Sequence, residues 1–150
     1  MPSALILIAN GTEEMEFTIP YDTLVRAGID CTSAFVPSES EVGLAYAGGW
    51  GINDVTYSAG KLVGMICAGS LAAKTSKLPS QPLTSHPSVK KDLESSFEYK
   101  EDSVVVSGSL ITSRGPGTAF PFAFKIVELL CGEAKVKEVR SPMIFPAGVF

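Results

Sequence analysis

Apolar residues fall along this chain in short unbroken runs that alternate with segments spaced for helices. Ser3-Ala-Leu-Ile-Leu-Ile-Ala9 is the first run, of strand length and nearly all apolar, the pattern of a strand covered on both faces in a parallel sheet. Asn10-Gly11-Thr12 ends it, and Thr12 or Asn10 can cap a helix starting near Glu13-Glu14, where carboxylates suit the positive end of the helix dipole. Pro20 should kink or break this helix before Tyr21 to Ala27, and Gly28 closes it. Ile29 to Val36 reads as a second strand, which completes a βαβ unit and predicts a parallel sheet with helices on its faces.

Glycines at 43, 48, 49, 51 and 60 break up residues 37–60, which predict loop with short extended pieces around Val42–Tyr46 and Ile52–Tyr57. Gly48-Gly-Trp-Gly51 could cradle a phosphate, but no Gly-Lys-Ser/Thr follows, and a plain turn is the better reading. Lys61 to Ile66 is the next buried-strand run, and Ala68-Gly-Ser70 leads from it into a helix that ends by Leu78, before Pro79. Leu83 lies at a short strand end, and Pro87 starts a helix with Val89 to Ser96 as its body. Phe97 to Tyr99 and Val104 to Val106 predict short strands, with a hairpin turn at Ser107-Gly108 leading to Leu110–Thr112. Arg114-Gly-Pro-Gly-Thr118 is a rigid turn whose Thr118 can cap a last helix, Phe120 to Leu130, ended by Gly132. Val136 to Phe150, with Pro142 and Pro146, should lie extended on the body.

Composition narrows the class. With 150 residues, 45% of them hydrophobic, the chain predicts a single domain over 1–150 with a substantial core. A net charge of −4 offers no basic footprint for nucleic acid or an anionic membrane, so a small molecule or a protein is the expected partner. No apolar run reaches bilayer length and no signal-type segment opens the chain, which predicts a soluble, cytoplasmic protein, with the nucleus as a second compartment. Cys31, Cys67 and Cys131 have neither disulfide nor zinc spacing and are expected to be reduced thiols.

Candidate chemistry gathers at strand-to-helix junctions. Cys67 ends a buried strand and opens a helix, as in a nucleophile elbow with cysteine in place of serine. Unpaired backbone N–H groups and the helix dipole would favour its thiolate, while Gly64 and Gly69 would allow a sharp turn and close approach. A buried structural cysteine fits the same run equally well. Glu16 should reach the same sheet edge, where ligands of open α/β sheets bind. In a partly dry site it would stay protonated and act as a hydrogen-bond donor or general acid, although Glu13, Glu14 and Glu16 also simply suit a helix start. His86, the sole histidine, sits in a loop before Pro87, so any imidazole acid–base step must use it. Together the three suit covalent thiol catalysis on a carbonyl.

These residues resemble a known family. Asn10 to Pro20, Arg26 to Ile29, Gly64-Met-Ile-Cys-Ala-Gly69, Thr84-Ser-His-Pro87 and Leu110 to Thr118 look like the ThiJ/PfpI family, within it the branch of the parkinsonism-associated protein deglycase, over residues 1–36 and 61–145. The resemblance implies a flavodoxin-like α/β sandwich of the class I glutamine amidotransferase type, with a mostly parallel sheet. It also implies a homodimer with its active site near the interface. Cys67 would be the nucleophile, Glu16 its protonated partner and His86 the acid–base group. Ala68 would offer a backbone N–H to an oxyanion, and Gly69 and Arg114 would line the site, although as part of a turn Arg114 needs no catalytic role. The protease-like branch has histidine directly after the cysteine, where this chain has Ala68. The implied activity is conversion of methylglyoxal to lactate without glutathione, and action on early glycation adducts, with no metal or organic cofactor.

The chain departs from the family pattern before the elbow. Family members carry a further strand and helix there, with a Pro-Gly-Gly turn that supplies another oxyanion N–H. Gly51 to Tyr57 resembles the family's short edge segment, which places the gap just before Lys61 and removes one strand-and-helix unit, about 30 residues. Ala47-Gly-Gly49 could instead stand in for the lost turn. The first alignment is the better reading, and the interior strand it removes would leave unpaired strand edges and an incomplete oxyanion hole. Two competing readings follow: a redox sensor or holdase in which Cys67 becomes a sulfinate, and an inactive shortened variant.

Overall fold

The computed structural model describes residues 1–36 and 56–149. Strand β1 (Ser3–Ile8) runs into helix α1 (Glu14–Arg26) and then strand β2 (Asp30–Phe35). β1 and β2 pair in parallel, Ser3 opposite Asp30 through Ile8 opposite Phe35, as the βαβ reading predicts. Gly28, at φ 77°, closes α1 while Ile29 N–H donates to Leu24, so orphan carbonyls of the last turn are satisfied. Pro20 neither breaks nor ends α1. Its missing N–H leaves the Glu16 carbonyl without its usual helical donor, a loss the helix tolerates in its second turn.

Strand β3 (Val63–Ile66) leads into a 3₁₀ turn, Cys67–Ser70, and the one-turn helix α2 (Leu71–Thr75). Next come β4 (Pro82–Leu83), a 3₁₀ turn at Pro87–Val89, α3 (Lys90–Leu93) and β5 (Glu98–Tyr99). The hairpin of β6 (Val104–Ser107) and β7 (Leu110–Ser113) turns on Gly108-Ser109, with Gly108 at φ 55°. That is one residue later than expected, because glycine is needed at the first central position of the turn. A 3₁₀ turn at Pro116–Thr118 then starts α4 (Ala119–Cys131).

Several expectations are corrected. α2 and α3 are shorter than the 71–78 and 89–96 segments predicted; Lys77, at φ 54°, already leaves helical space. Residues 136–150 are not extended throughout: α5 (Glu133–Arg140) and a 3₁₀ turn at Ser141–Met143 take up the first part, since Glu, Ala and Lys there are good helix formers. Beyond them Phe145 packs edge-on against Phe120, ring centroids 4.9 Å apart. The expected extended pieces at 42–46 and 52–57 and the Gly-Gly-Trp-Gly turn lie outside the described residues, except that 56–58 form a helical turn.

Among the described residues the strands form three groups: β1 with β2; β3, β7 and β6 in that order; and β4 with β5. All pairs are parallel except β6 with β7. One core of Val63, Met65, Ala73, Leu78, Leu83, Leu93 and Leu110 lies on the β3 side. A second, of Leu24, Ala27, Ile29, Phe124, Val127 and Val139, lies under β1 and β2. Helix α4 touches both α1 and the β3–β7 sheet and so joins the halves. β1, expected to be covered on both faces, is half open, and Leu5 is 52% exposed.

Candidate active site

The parallel pairing of β3 with β7 puts Ile66 opposite Ser113, so the chain leaves the sheet side by side at Cys67 and Arg114. Thr112 Oγ1 accepts from Thr84 N–H at 2.9 Å, which brings the end of β4 to the same edge, and His86 N–H donates to the Cys67 carbonyl at 3.3 Å. Glu16 comes from the first turn of α1. The three residues singled out in the sequence therefore meet at the carboxyl ends of the parallel strands.

Cys67 has φ 59°, in the left-handed region that costs a non-glycine residue roughly 1–2 kcal/mol. This strain lifts its side chain out of the strand direction, as in an elbow. Half-buried, the thiol is hydrogen-bonded to the Glu16 carboxyl and receives the Ala68 backbone N–H. Burial, then the Glu16 hydrogen bond, push the thiol up to about 11, against the lowering effect of the Ala68 N–H. Against the expectation of a thiolate-favouring junction, burial first and the Glu16 hydrogen bond second raise the thiol, and the Ala68 N–H does not offset them. Neither glycine provides the sharp turn. Gly64 lies inside β3, with a Cβ there only 3.0 Å from Phe122 Cζ, and a Cβ on Gly69 would meet nothing within 4 Å.

Glu16 is held by its neighbours. Its backbone N–H donates to Glu13 Oε2 at 2.8 Å, so Glu13 caps the helix, while Thr12 Oγ1 instead accepts from Ala9 N–H. Burial raises the Glu16 carboxyl, the Cys67 hydrogen bond lowers it, and the charge of Glu13 raises it again. Its Oε1 is buried without a hydrogen-bond partner among the described residues. With both members of the pair raised, the site resists a second negative charge and keeps a proton between Sγ and the carboxyl.

His86 is exposed, and its Nδ1 accepts from Ser88 N–H at 3.2 Å, with Ser88 Oγ at 2.8 Å. A Cβ on Gly115 would lie 3.7 Å from His86 Cδ2 and 3.8 Å from Glu16 Oε1, which locates Gly115 between the two. The Arg114 guanidinium is directed to Glu101, bonding its backbone carbonyl and Oε2 at 2.6 Å each. Thr118 does not cap α4 with its side chain. It accepts from Arg114 and Gly115 N–H and donates to the Gly115 carbonyl, which holds the turn beside the site. Sequence reasoning passed over Ser88 and Glu101, while Gly115 belonged to the Arg114–Thr118 turn it singled out. Pro87 was the available signal for Ser88, because proline at the first helical position makes His86 the cap and aims its ring at the second following amide.

A mostly parallel α/β fold with a strained cysteine at a strand end, a carboxyl on its thiol and a histidine nearby defines a cysteine-elbow protein of the flavodoxin-like class. The DJ-1/PfpI family profile matches residues 53–129, and the chain belongs to that family. It is 37% identical to protein dj-1beta of Drosophila melanogaster over 180 aligned positions, covering 95% of this chain and 96% of the relative. It is 30% identical to the glutathione-independent glyoxalase DJ-1 of Schizosaccharomyces pombe, covering 97% and 100%. The crystal structure of Drosophila melanogaster DJ-1beta superposes with a TM-score of 0.87 at 33% identity, over 97% of this chain and 98% of that one. Because 180 positions align against a chain of 150 residues, at least 30 of the fly protein's positions have no counterpart here. No helix among the described residues is long and apolar enough to cross a membrane.

Proposed function

We propose that this protein is a glutathione-independent glyoxalase that converts methylglyoxal to lactate through a covalent adduct on Cys67, with action on early glycation adducts as related chemistry. The observation that carries this reading is the hydrogen bond between the Glu16 carboxyl and a thiol held at a strained strand end. As Sγ attacks the aldehyde carbon, its proton passes to Glu16 and on to the aldehyde oxygen, giving a hemithioacetal. Glu16 and His86 then move the proton on that carbon to the neighbouring one through an enediolate. The hydroxyl proton shifts to the second oxygen, leaving a lactoyl thioester. Water cleaves the thioester to lactate and restores the thiol, so the net change is addition of one water.

Ala68 N–H, already on the sulfur, is next to the oxygen that gains charge. Gly69 lines the approach, and Arg114 holds the turn through Glu101. A single domain acting as a homodimer in the cytoplasm or nucleus belongs to the same reading. The test is lactate formation from methylglyoxal without glutathione. Cys67→Ser should abolish it, and Glu16→Gln should lower kcat by about 10² or more. Well-folded wild-type protein that forms no lactate would overturn the proposal.

A further inference from the structure

The two edges of the His86 ring face different surroundings. On one edge Nδ1 takes the Ser88 backbone N–H at 3.2 Å and lies 2.8 Å from Ser88 Oγ. A backbone N–H only donates, so Nδ1 presents its lone pair there, and the proton of the neutral ring belongs on Nε2. The other edge lies beside Gly115, which Glu16 also approaches. Cδ2, which is bonded to Nε2, and Glu16 Oε1 lie 3.7 and 3.8 Å from the point a Cβ on Gly115 would occupy.

From this geometry we infer that Ser88 is a positioning residue that fixes neutral His86 as its Nε2–H tautomer, making His86 a hydrogen-bond donor and leaving Glu16 as the proton carrier. The tautomer assignment rests on the Ser88 contacts alone; the division of roles rests on the glyoxalase reading. In that reaction the Glu16 carboxylate takes the proton from the sulfur-bearing carbon. The electron pair forms the carbon–carbon double bond, and the carbonyl electrons move onto the ketone oxygen. His86 Nε2–H donates to this oxygen as its negative charge grows, the use of a neutral imidazole as electrophile. Glu16 returns its proton to the second carbon, and the hydroxyl proton passes to the ketone oxygen.

His86 is the only histidine of the chain, so labelling histidine with ¹⁵N gives one ring to observe. At about pH 8.5, above the ordinary histidine range, the wild-type spectrum should show the proton on Nε2 and a hydrogen-bonded, unprotonated Nδ1. Ser88 is exposed, so Ser88→Ala leaves the core untouched. That variant loses the Oγ contact and keeps the backbone N–H, so the proton should stay on Nε2 while the Nδ1 signal moves part of the way toward a weaker hydrogen bond and kcat falls about tenfold with little change in KM, and Ser88→Thr should restore both. A wild-type proton on Nδ1 would overturn the tautomer assignment, and a Ser88→Ala protein with the wild-type spectrum and kcat would overturn the positioning role of the Ser88 hydroxyl, since only the Oγ contact is lost in that variant. An Nε2–H spectrum in a protein that forms no lactate would uphold the tautomer and remove the glyoxalase reading with its division of roles.

Discussion

The chemistry of this site turns on a proton shared by two residues that burial has made reluctant to ionise. Cys67 is raised from 9.0 to about 11, and Glu16 is raised from 4.5, in each case first by burial. The sign of the consequence is fixed by linkage. Between about pH 9 and pH 11 the folded protein keeps a thiol proton that the unfolded chain has released, so stability falls as the pH rises through that window. Glu16 acts in the same sense at lower pH: its contribution is complete below the ordinary carboxyl value and is lost as the pH rises through the raised one. The fall in melting temperature from about pH 8.5 to about pH 10.5 should therefore be smaller in Cys67→Ala than in wild type. Equal falls would show that the folded thiol is unperturbed. The three residues of the candidate site could be picked from the sequence because each stands at a junction or is unique. The raised thiol could not, because its burial is set by the packed fold and the carboxyl that adds to it lies 51 positions away in the chain.

At the level of elements, the elbow is held from below by α4. A Cβ on Gly64 would meet Phe122 Cζ at 3.0 Å, and the Phe122 ring is itself only 4% exposed, so it has little room to give. Gly64→Ala should thus destabilise the protein by about 1–3 kcal/mol in chemical denaturation, the usual cost of overpacking a filled core. A cost below about 0.5 kcal/mol would show that α4 is free to shift. The strands and α4 were legible from apolar runs and terminal glycines. The lengths of the short helices were not, because α2 and α3 are single turns held by the loops and strands around them, with too few residues for a period to mark their ends. The last helix was passed over for a different reason: Pro142 and Pro146 drew attention to the tail and away from the helix-forming run ahead of them.

For the whole molecule the defining feature is a break between β1–β2 and β3–β7–β6, with neither β1 nor β3 paired to the other among the described residues. At least 30 positions of the fly relative are unmatched, yet the superposition holds at a TM-score of 0.87, so the described elements keep the family's placement around a shortened region. Leu5 lies on the open side of β1, 52% exposed. Strand edges and apolar faces left open invite association. Leu5→Lys should reduce concentration-dependent light scattering while changing stability by no more than about 0.5 kcal/mol. Unchanged scattering would mean that this face takes no part in self-association.

By itself the sequence determined the βαβ start, the cysteine elbow, the closing helix and the identity of Cys67, Glu16 and His86, because runs, caps and junctions are local patterns of a few residues. It also carried a chain shorter than the fly relative by at least 30 aligned positions. Only the tertiary structure decided that Glu16 reaches the thiol and raises it, that Ser88 orients His86, that Arg114 turns to Glu101, and that α4 bridges two cores. Each of these depends on groups distant in sequence, or on the direction a side chain takes from its backbone, and a one-dimensional pattern holds neither.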